Sequence, residues 1–404
     1  VNHPLKIKKI LAPIASLRIT VTLFALSMFL IFAGTVVQVH QGIYEVTHLY
    51  FHSLFVWIPL NIFIPEKLLS GSIESIPGQL PFPGGYTLGG LLLINLVAAH
   101  IVRFKPGIKR IGMWMIHAGI ILLMLGELGT GLFAYEGNMS IDEGSSSNFT
   151  ENLHHVELAI IDTSGQEMDK VMVVAQSALK NAGWNQRPII DERLPFELHV
   201  NQWMSNSQVF GPAVAPPGLK PLGNTGTGSK VLARVVPVVS GVDATAINSP
   251  TAVITFVDQG KSLGRYVVSL FLDQPQDVTV GEKTYQVTLR LERRYKPYTL
   301  HLIKFTHEIF TGTTMPRNFS SKIRLVDPTQ NEDREVDIWM NNPLRYAGET
   351  FYQSSYKPDG SGTVLQVVDN PSWLLPYISC TIIALGMTIH FCIHLFGFVR
   401  RTSK

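Results

Sequence analysis

The sequence predicts a membrane α-helical part of four transmembrane helices joined to a large, mainly antiparallel β domain outside the bilayer. Three observations predict it. Four long stretches are apolar enough to cross a bilayer. The region 136–372, between the third and fourth stretches, alternates in the manner of strands. Finally, 46% apolar with only 16% charged over 404 residues is high for a soluble protein.

The first span, Ile19–Val39, carries no charge. Its apolar run is long and no small-residue cleavage site follows, so it reads as an anchor rather than a signal peptide. Tyr86–Val102 is shorter and Gly-rich at its start, Ile111–Tyr135 holds one acid, Glu127, and Trp373–Val399 holds no Asp, Glu, Lys or Arg. Basic residues then fix the orientation. Lys6, Lys8, Lys9 and Arg18 precede the first span, Arg103, Lys105, Lys109 and Arg110 fill the turn between the second and third, and Arg400, Arg401 and Lys404 follow the fourth. All three clusters fall on one side, which the positive-inside rule makes cytoplasmic. The expected organisation is three spans in 1–135, an extracytoplasmic β-rich domain in 136–372, and a fourth span with a basic cytoplasmic tail in 373–404. Both termini are cytoplasmic in a bacterial inner membrane or its equivalent.

The loop 40–85 is extracytoplasmic in this scheme. Gly42–Phe63, with Glu45, His48 and His52 among aromatic and aliphatic residues, suits a helix lying in the interface. Pro65, Pro77, Pro81 and Pro83 break the chain before the second span. In the β domain, Val156–Ile161, Phe196–Gln202, Lys230–Val239, Ala252–Val257, Tyr285–Arg290, Lys322–Val326 and Val364–Val368 read as short strands, suggesting a sandwich. Ala215–Ser229, rich in Pro, Gly, Asn and Thr, reads as a mobile loop, and Gly348 and Gly360 mark tight turns.

Composition excludes several functions. The net charge of +3, from 33 basic and 30 acidic residues, argues for no nucleic-acid partner. The two cysteines, Cys380 and Cys392, both fall in the fourth span. They read as small apolar residues of helix packing. No disulfide framework, C-x-x-C redox pair or C-x-x-C-H haem-attachment motif is present. The β domain shows no catalytic constellation. His154 and His155 point to opposite faces of a strand, and the basic-aromatic run Arg290–Tyr298 reads as a solvated strand end.

The membrane histidines are the chemically informative residues. At about 1.5 Å per residue, His100 lies roughly 5 Å from Arg103, His117 roughly 10 Å from Arg110, and His394 and His390 roughly 10 and 15 Å from Arg400. A polar ring in hydrocarbon is costly and faces a partner or cofactor, and imidazole is a common haem ligand. The bland alternative is a hydrogen bond to a neighbouring helix. His117 stands out because Gly112, Gly119 and Gly126 recur at a seven-residue spacing on its helix and form a seam for close packing. Glu127, roughly 25 Å along the helix from Arg110, falls near the outer interface, where a structural role is expected.

Asn341-Asn-Pro-Leu-Arg-Tyr-Ala-Gly-Glu-Thr-Phe-Tyr-Gln-Ser-Ser-Tyr356 closely resembles a signature of the ResB/CcsB family, membrane proteins of the System II pathway that attaches haem to c-type cytochromes. Ile14–Phe24, Asn95–Lys105, His117–Gly126, Tyr135-Glu-Gly and Asp142–Asn148 are similar to other parts of that family in the same order, whereas about 165–320 resembles nothing. The resemblance implies that His117 is an axial ligand of a non-covalent haem b held in the membrane. It also implies a CcsA-like partner subunit with a Trp-rich WWD motif that supplies the opposing ligand. Apocytochrome c is the recipient, and a thiol-reducing partner would supply what this chain's cysteines do not. With no tandem-tryptophan motif, the chain resembles the CcsB half alone, a subunit of a cytochrome c synthase (haem lyase) that is not catalytic by itself. Two other readings stay open: an electron-transfer cytochrome b-type subunit pairing His100 or His117 with His390 or His394, and a non-haem assembly scaffold.

Overall fold

The computed structural model describes residues 8–63, 78–103, 107–165, 168–239, 247–309, 316–357 and 359–402. Lys6, Pro65, Pro77, Lys105 and Lys404 of the sequence reading lie outside them. The chain divides into two compact units. One comprises Val1–Tyr135, Ser240–Ala244 and Asp369–Lys404, and the other Glu136–Val239 and Thr245–Val368.

In chain order the longer helices are α1 (Leu17–Gln41), α2 (Gly85–Arg103), α3 (Ile111–Phe133), α4 (Gln176–Asn185) and α5 (Leu375–Thr402). The segments holding α1, α2, α3 and α5 are long and apolar enough to cross a membrane, and they form the first unit. Ser16 opens α1 by accepting a hydrogen bond from the Arg18 amide. The glycine seam read from the sequence faces α5. A Cβ on Gly119 would stand 2.5 Å from Ile383 Cγ1, and one on Gly126 would stand 2.9 Å from Leu375 Cβ. Small residues let the two backbones approach in this way.

The connection from α1 to α2 differs from the interfacial helix expected for Gly42–Phe63. A short helical turn at Ile43–Val46 and a π-turn at Thr47–Phe51 give way to β1 (Phe55–Pro59), which pairs antiparallel with β2 (Gln79–Pro83). The reason is a period of two that the aromatic run concealed. Val56 and Ile58 are buried in a cluster with Leu30, Ala33 and Val37 of α1, while Phe55 and Trp57 between them are exposed. The prolines taken as chain breaks, Pro81 and Pro83, lie within β2 opposite Trp57 and Phe55. Proline is tolerated there because both strands of a two-stranded ribbon are edges.

The second unit is built on a ten-stranded antiparallel sheet. It contains β3 (Tyr135–Asp142), β4 (Ser146–Asp162), β5 (Lys170–Ala175), β11 (Gln276–Val280), β12 (Lys283–Ile309), β13 (Pro316–Asp327), β14 (Glu332–Trp339), β15 (Leu344–Tyr346), β16 (Glu349–Tyr356) and β17 (Gly362–Asp369). A three-stranded sheet of β6 (Glu197–Met204), β9 (Thr251–Asp258) and β10 (Lys261–Ser269) and a ribbon of β7 (Ser207–Phe210) and β8 (Leu232–Val235) complete it. The seven segments read as strands all contain strand, with Lys230–Val239 shrinking to β8.

Two cores result. One lies between the three-stranded sheet and the β4–β5–β11–β12 region, with Leu158, Leu198, Ile254, Phe256 and Val287 at its centre. The other is enclosed by the second half of the large sheet, around Leu300, Leu302, Ile323, Phe351 and Leu365. β12 serves both, contributing Val287 and Leu289 to the first and Tyr298, Leu300 and Leu302 to the second. The strands are therefore not uniformly short: β12 runs for 27 residues and β4 for 17.

The run Arg290–Tyr298 is not a solvated strand end but the middle of β12. Arg290 pairs with Glu157 at 2.9 Å and Arg293 with Glu151 at 2.9 Å, while Lys296 is buried against Glu349. The sequence reading also lacked α4, which buries Leu179 and Ala182 on the first core. The segment Ala215–Ser229 is irregular, as expected, but is tied to β10 by bonds from the Asn224 and Thr225 amides to the Arg265 carbonyl. In the hairpin of β15 and β16, Ala347 and Gly348 both take positive φ, 49° and 84°.

Candidate functional site: a histidine-lined cavity among three helices

Leu96, His100 and Arg103 recur at helical spacing along one face of α2, with Asn95 at its margin, as do Trp114, His117 and Ile120 on α3 and Leu17, Thr20 and Phe24 on α1. The three faces line a half-open cavity of about 600 Å³, mostly apolar, with Arg103 at its basic end. That volume falls in the range of small-molecule and cofactor sites, roughly 300–1,000 Å³.

Polar residues brace its walls. Asn95 is buried and accepts from Thr20 Oγ1 at 2.6 Å while donating to the Ile14 carbonyl at 2.6 Å, which clasps the start of α1 to α2. Arg103 Nη2 donates to the Ala15 carbonyl at 2.9 Å. The family resemblance drew attention to the Asn95–Lys105 stretch, but nothing in it distinguished Asn95 as a clasp. An Asn in an apolar run is the signal that could have done so, because a buried amide must find partners.

Two histidines meet at this cavity. The rings of His100 and His117 pack edge to face with centroids 4.7 Å apart, and Trp114 packs edge-on to His100 at 5.1 Å. His100 Nδ1 lies 3.0 Å from the Leu96 carbonyl. His117 Nδ1 is buried and has no hydrogen-bond partner among the described residues. A neutral imidazole nitrogen with an available lone pair can ligate a metal.

The remaining sequence candidates are elsewhere. His390 and His394 form their own pair on α5, with ring centroids 4.4 Å apart, and neither lines the cavity. His390 adjoins Gly112, and on α3 the glycine seam and His117 lie on roughly opposite faces at about 100° per residue. Cys380 is exposed on α5, not packed between helices as expected, and Cys392 is half-buried. Glu127 is exposed near the non-basic end of α3. At that same end His52 stacks on Tyr86 with centroids 5.4 Å apart, and His48 packs on Tyr44 and His52. Among the described residues no three His, Cys, Asp or Glu side chains gather as a metal site.

The sequence model of the ResB-like family matches residues 264–368. Over those residues the chain is similar to the ResB-like family. The match runs from β10 to β17, takes in the Asn341–Tyr356 stretch, and begins inside the region 165–320, for which the sequence alone suggested no resemblance. The chain is also similar to Protein NrfI of Wolinella succinogenes, with 35% identity over 91 residues, covering 22% of this chain and 10% of that protein. It thus spans only a small part of the curated relative. The family match lies wholly within the second unit, and the histidine cavity lies in the first.

Proposed function

We propose that this chain is a subunit of a System II cytochrome c maturation complex that takes up haem within the membrane and helps deliver it for attachment to apocytochrome c. His117 would be an axial ligand at the intake site. The ResB-like match over 264–368 supports a role in cytochrome c biogenesis. The basic ends of α1, α2, α3 and α5 support an orientation with both termini cytoplasmic and the β unit outside.

The observation that carries the reading is the ring contact of His100 and His117. Rings already touching leave no gap for a porphyrin plane between them, and His390 and His394 lie off the cavity on another helix. An intrachain bis-histidine haem, which the electron-transfer alternative requires, therefore has little support. A single axial ligand from this chain fits better, with the opposing one supplied by a CcsA-like WWD subunit. The scaffold alternative leaves a cavity of cofactor size, lined by both His100 and His117, without a use.

The residues present suit the cargo. His117 would ligate the iron, apolar side chains of α1 to α3 would cover the macrocycle, and the Arg103 guanidinium would pair with propionate carboxylates at the basic rim. Haem supplies the vinyl groups that react with apocytochrome thiols. This chain's part is to bind, orient and shield, and it contributes no nucleophile or reductant. A thiol-reducing partner would prepare the apocytochrome.

The test is to purify the chain with and without the WWD partner and record reduced haem spectra for the wild type and His117→Ala. The expected result is haem with the partner, a shifted and reduced signal in the variant, and recovery with added imidazole. A wild-type spectrum and haem content in His117→Ala would remove His117 from the mechanism.

A further inference from the structure

His100 departs from an idle histidine in one respect. A carbonyl oxygen can only accept, so the 3.0 Å contact with the Leu96 carbonyl requires that His100 Nδ1 carry the proton and donate it. The tautomer is then fixed and Nε2 holds the lone pair. A ring nitrogen held by a backbone carbonyl, with the other nitrogen free to ligate, is how metal-binding histidines are oriented. His117 lacks that support, since among the described residues its Nδ1 is buried without a partner. Both rings line the same cavity. His100 is also closer to the basic rim, roughly 5 Å from Arg103 along its helix against roughly 10 Å for His117 from Arg110.

Resting on the reading of the cavity as a haem intake site, we propose that His100 is a second iron ligand in this chain, used in alternation with His117. His100 Nε2 takes the iron near the rim, and His117 takes it over deeper in the cavity. One iron–nitrogen bond breaks as the other forms, no electron is transferred, and the His100 proton stays on Nδ1. Rings in contact allow this exchange without moving a helix, while excluding simultaneous ligation on opposite faces of one porphyrin.

The experiment is a factorial set on the full chain purified with its partner: wild type, His117→Ala, His100→Asn, and both together. Asn at position 100 keeps a donor for the Leu96 carbonyl and removes Nε2. Size-exclusion profiles check that each variant folds. The expected result is that His117→Ala retains about a third or more of the wild-type haem with an altered spectrum, and that adding His100→Asn removes the remainder. In the His117→Ala background, His100→Met should convert the residual spectrum to that of an iron–thioether bond, a change that a merely structural residue would not produce. Equal haem in His117→Ala and the double variant, even if both are empty, would overturn the alternation while leaving His117 as a ligand. Wild-type haem in the double variant, or no haem in the wild-type complex, would overturn the intake reading itself.

Discussion

Gly112 of α3 lies so close to His390 of α5 that a Cβ on the glycine would stand 2.6 Å from the His390 backbone nitrogen. The contact is reciprocal, because a Cβ on Gly386 would stand 2.9 Å from the Gly112 carbonyl oxygen. These neighbours are backbone and cannot rotate away. Gly112→Ala should therefore separate the two helices and cost about 1–3 kcal/mol, the range for overpacking. Gly89→Ala and Gly90→Ala on α2 are the controls. Neither meets an atom within 4 Å, so each should gain up to about 1 kcal/mol from helix propensity. Thermal unfolding in detergent would show the opposite signs, and a neutral Gly112→Ala would refute the close seam.

The β unit contains a buried charge pair whose loss should be felt strongly. Lys296 Nζ and Tyr298 OH both donate to the Glu349 carboxylate, and the Lys296 and Glu349 side chains are 5% and 7% exposed. Removing one partner strands a charge away from water, which costs about 3–5 kcal/mol. Lys296→Met should lower the unfolding midpoint in urea accordingly. The triple change Lys296→Met, Glu349→Leu and Tyr298→Phe should recover most of the loss, since apolar groups of similar volume replace a buried pair at little cost. A triple variant no more stable than the single one would mean that these residues act mainly through packing.

The same residues show where the sequence was legible and where it was not. The four spans were readable because an apolar run of that length has few alternatives, and the glycine spacing pointed to a seam without identifying α5 as its partner. The centre of β12 was misread because Arg290, Arg293, Arg294 and Lys296 look like a solvated break. Their partners Glu157, Glu151 and Glu349 lie far away in sequence; pairing of β12 with β4 brings Arg290 and Arg293 to theirs, and Lys296 reaches Glu349 on a strand that is not its neighbour in the sheet. β1 was missed for a related reason. Phe55–Pro59 finds its hydrogen bonds in β2, across a connection that gives no hairpin signal. At the cavity, helical spacing could place His100 and His117 on faces of α2 and α3, but the packing of those helices decides that the rings touch.

Tyr346 and Asp327 provide a pH test. Tyr346 OH donates to Asp327 Oδ2 at 2.7 Å. Burial, together with that bond, pushes the phenol from 10.0 up to about 12. Because the folded value is raised, the stabilisation is intact below about pH 10 and is lost as pH rises toward 12. Asp327 contributes in the opposite range. The Thr329 and Tyr346 hydroxyls hold its carboxyl below the ordinary value, so its share is lost as pH falls through the acid range. In Tyr346→Phe, the difference in tyrosinate absorbance from wild type should titrate near 12, and stability should fall less steeply between pH 10 and 12. A difference titrating near 10 would show that the bond is not made in solution.

The hairpin inside the Asn341–Tyr356 stretch allows backbone strain to be separated from crowding. Tyr346 pairs with Glu349 across a two-residue turn whose central residues, Ala347 and Gly348, have φ of 49° and 84°. Two positive φ values define the type I′ turn, whose preferred pair is Asn-Gly. Alanine at the first position is thus a local misfit, since left-handed backbone costs an L-residue about 1–2 kcal/mol and Asn bears it more easily. Ala347→Asn should raise the thermal midpoint, by up to about 1 kcal/mol of stability. Gly348→Ala should lower it by about 1–2 kcal/mol. A Cβ at position 348 meets no atom within 4 Å, so that loss would come from the backbone alone. If Ala347→Asn destabilised the protein, the turn would not be type I′ in solution. The pairing of β15 with β16, which holds Glu349 opposite Tyr346, would then need another explanation.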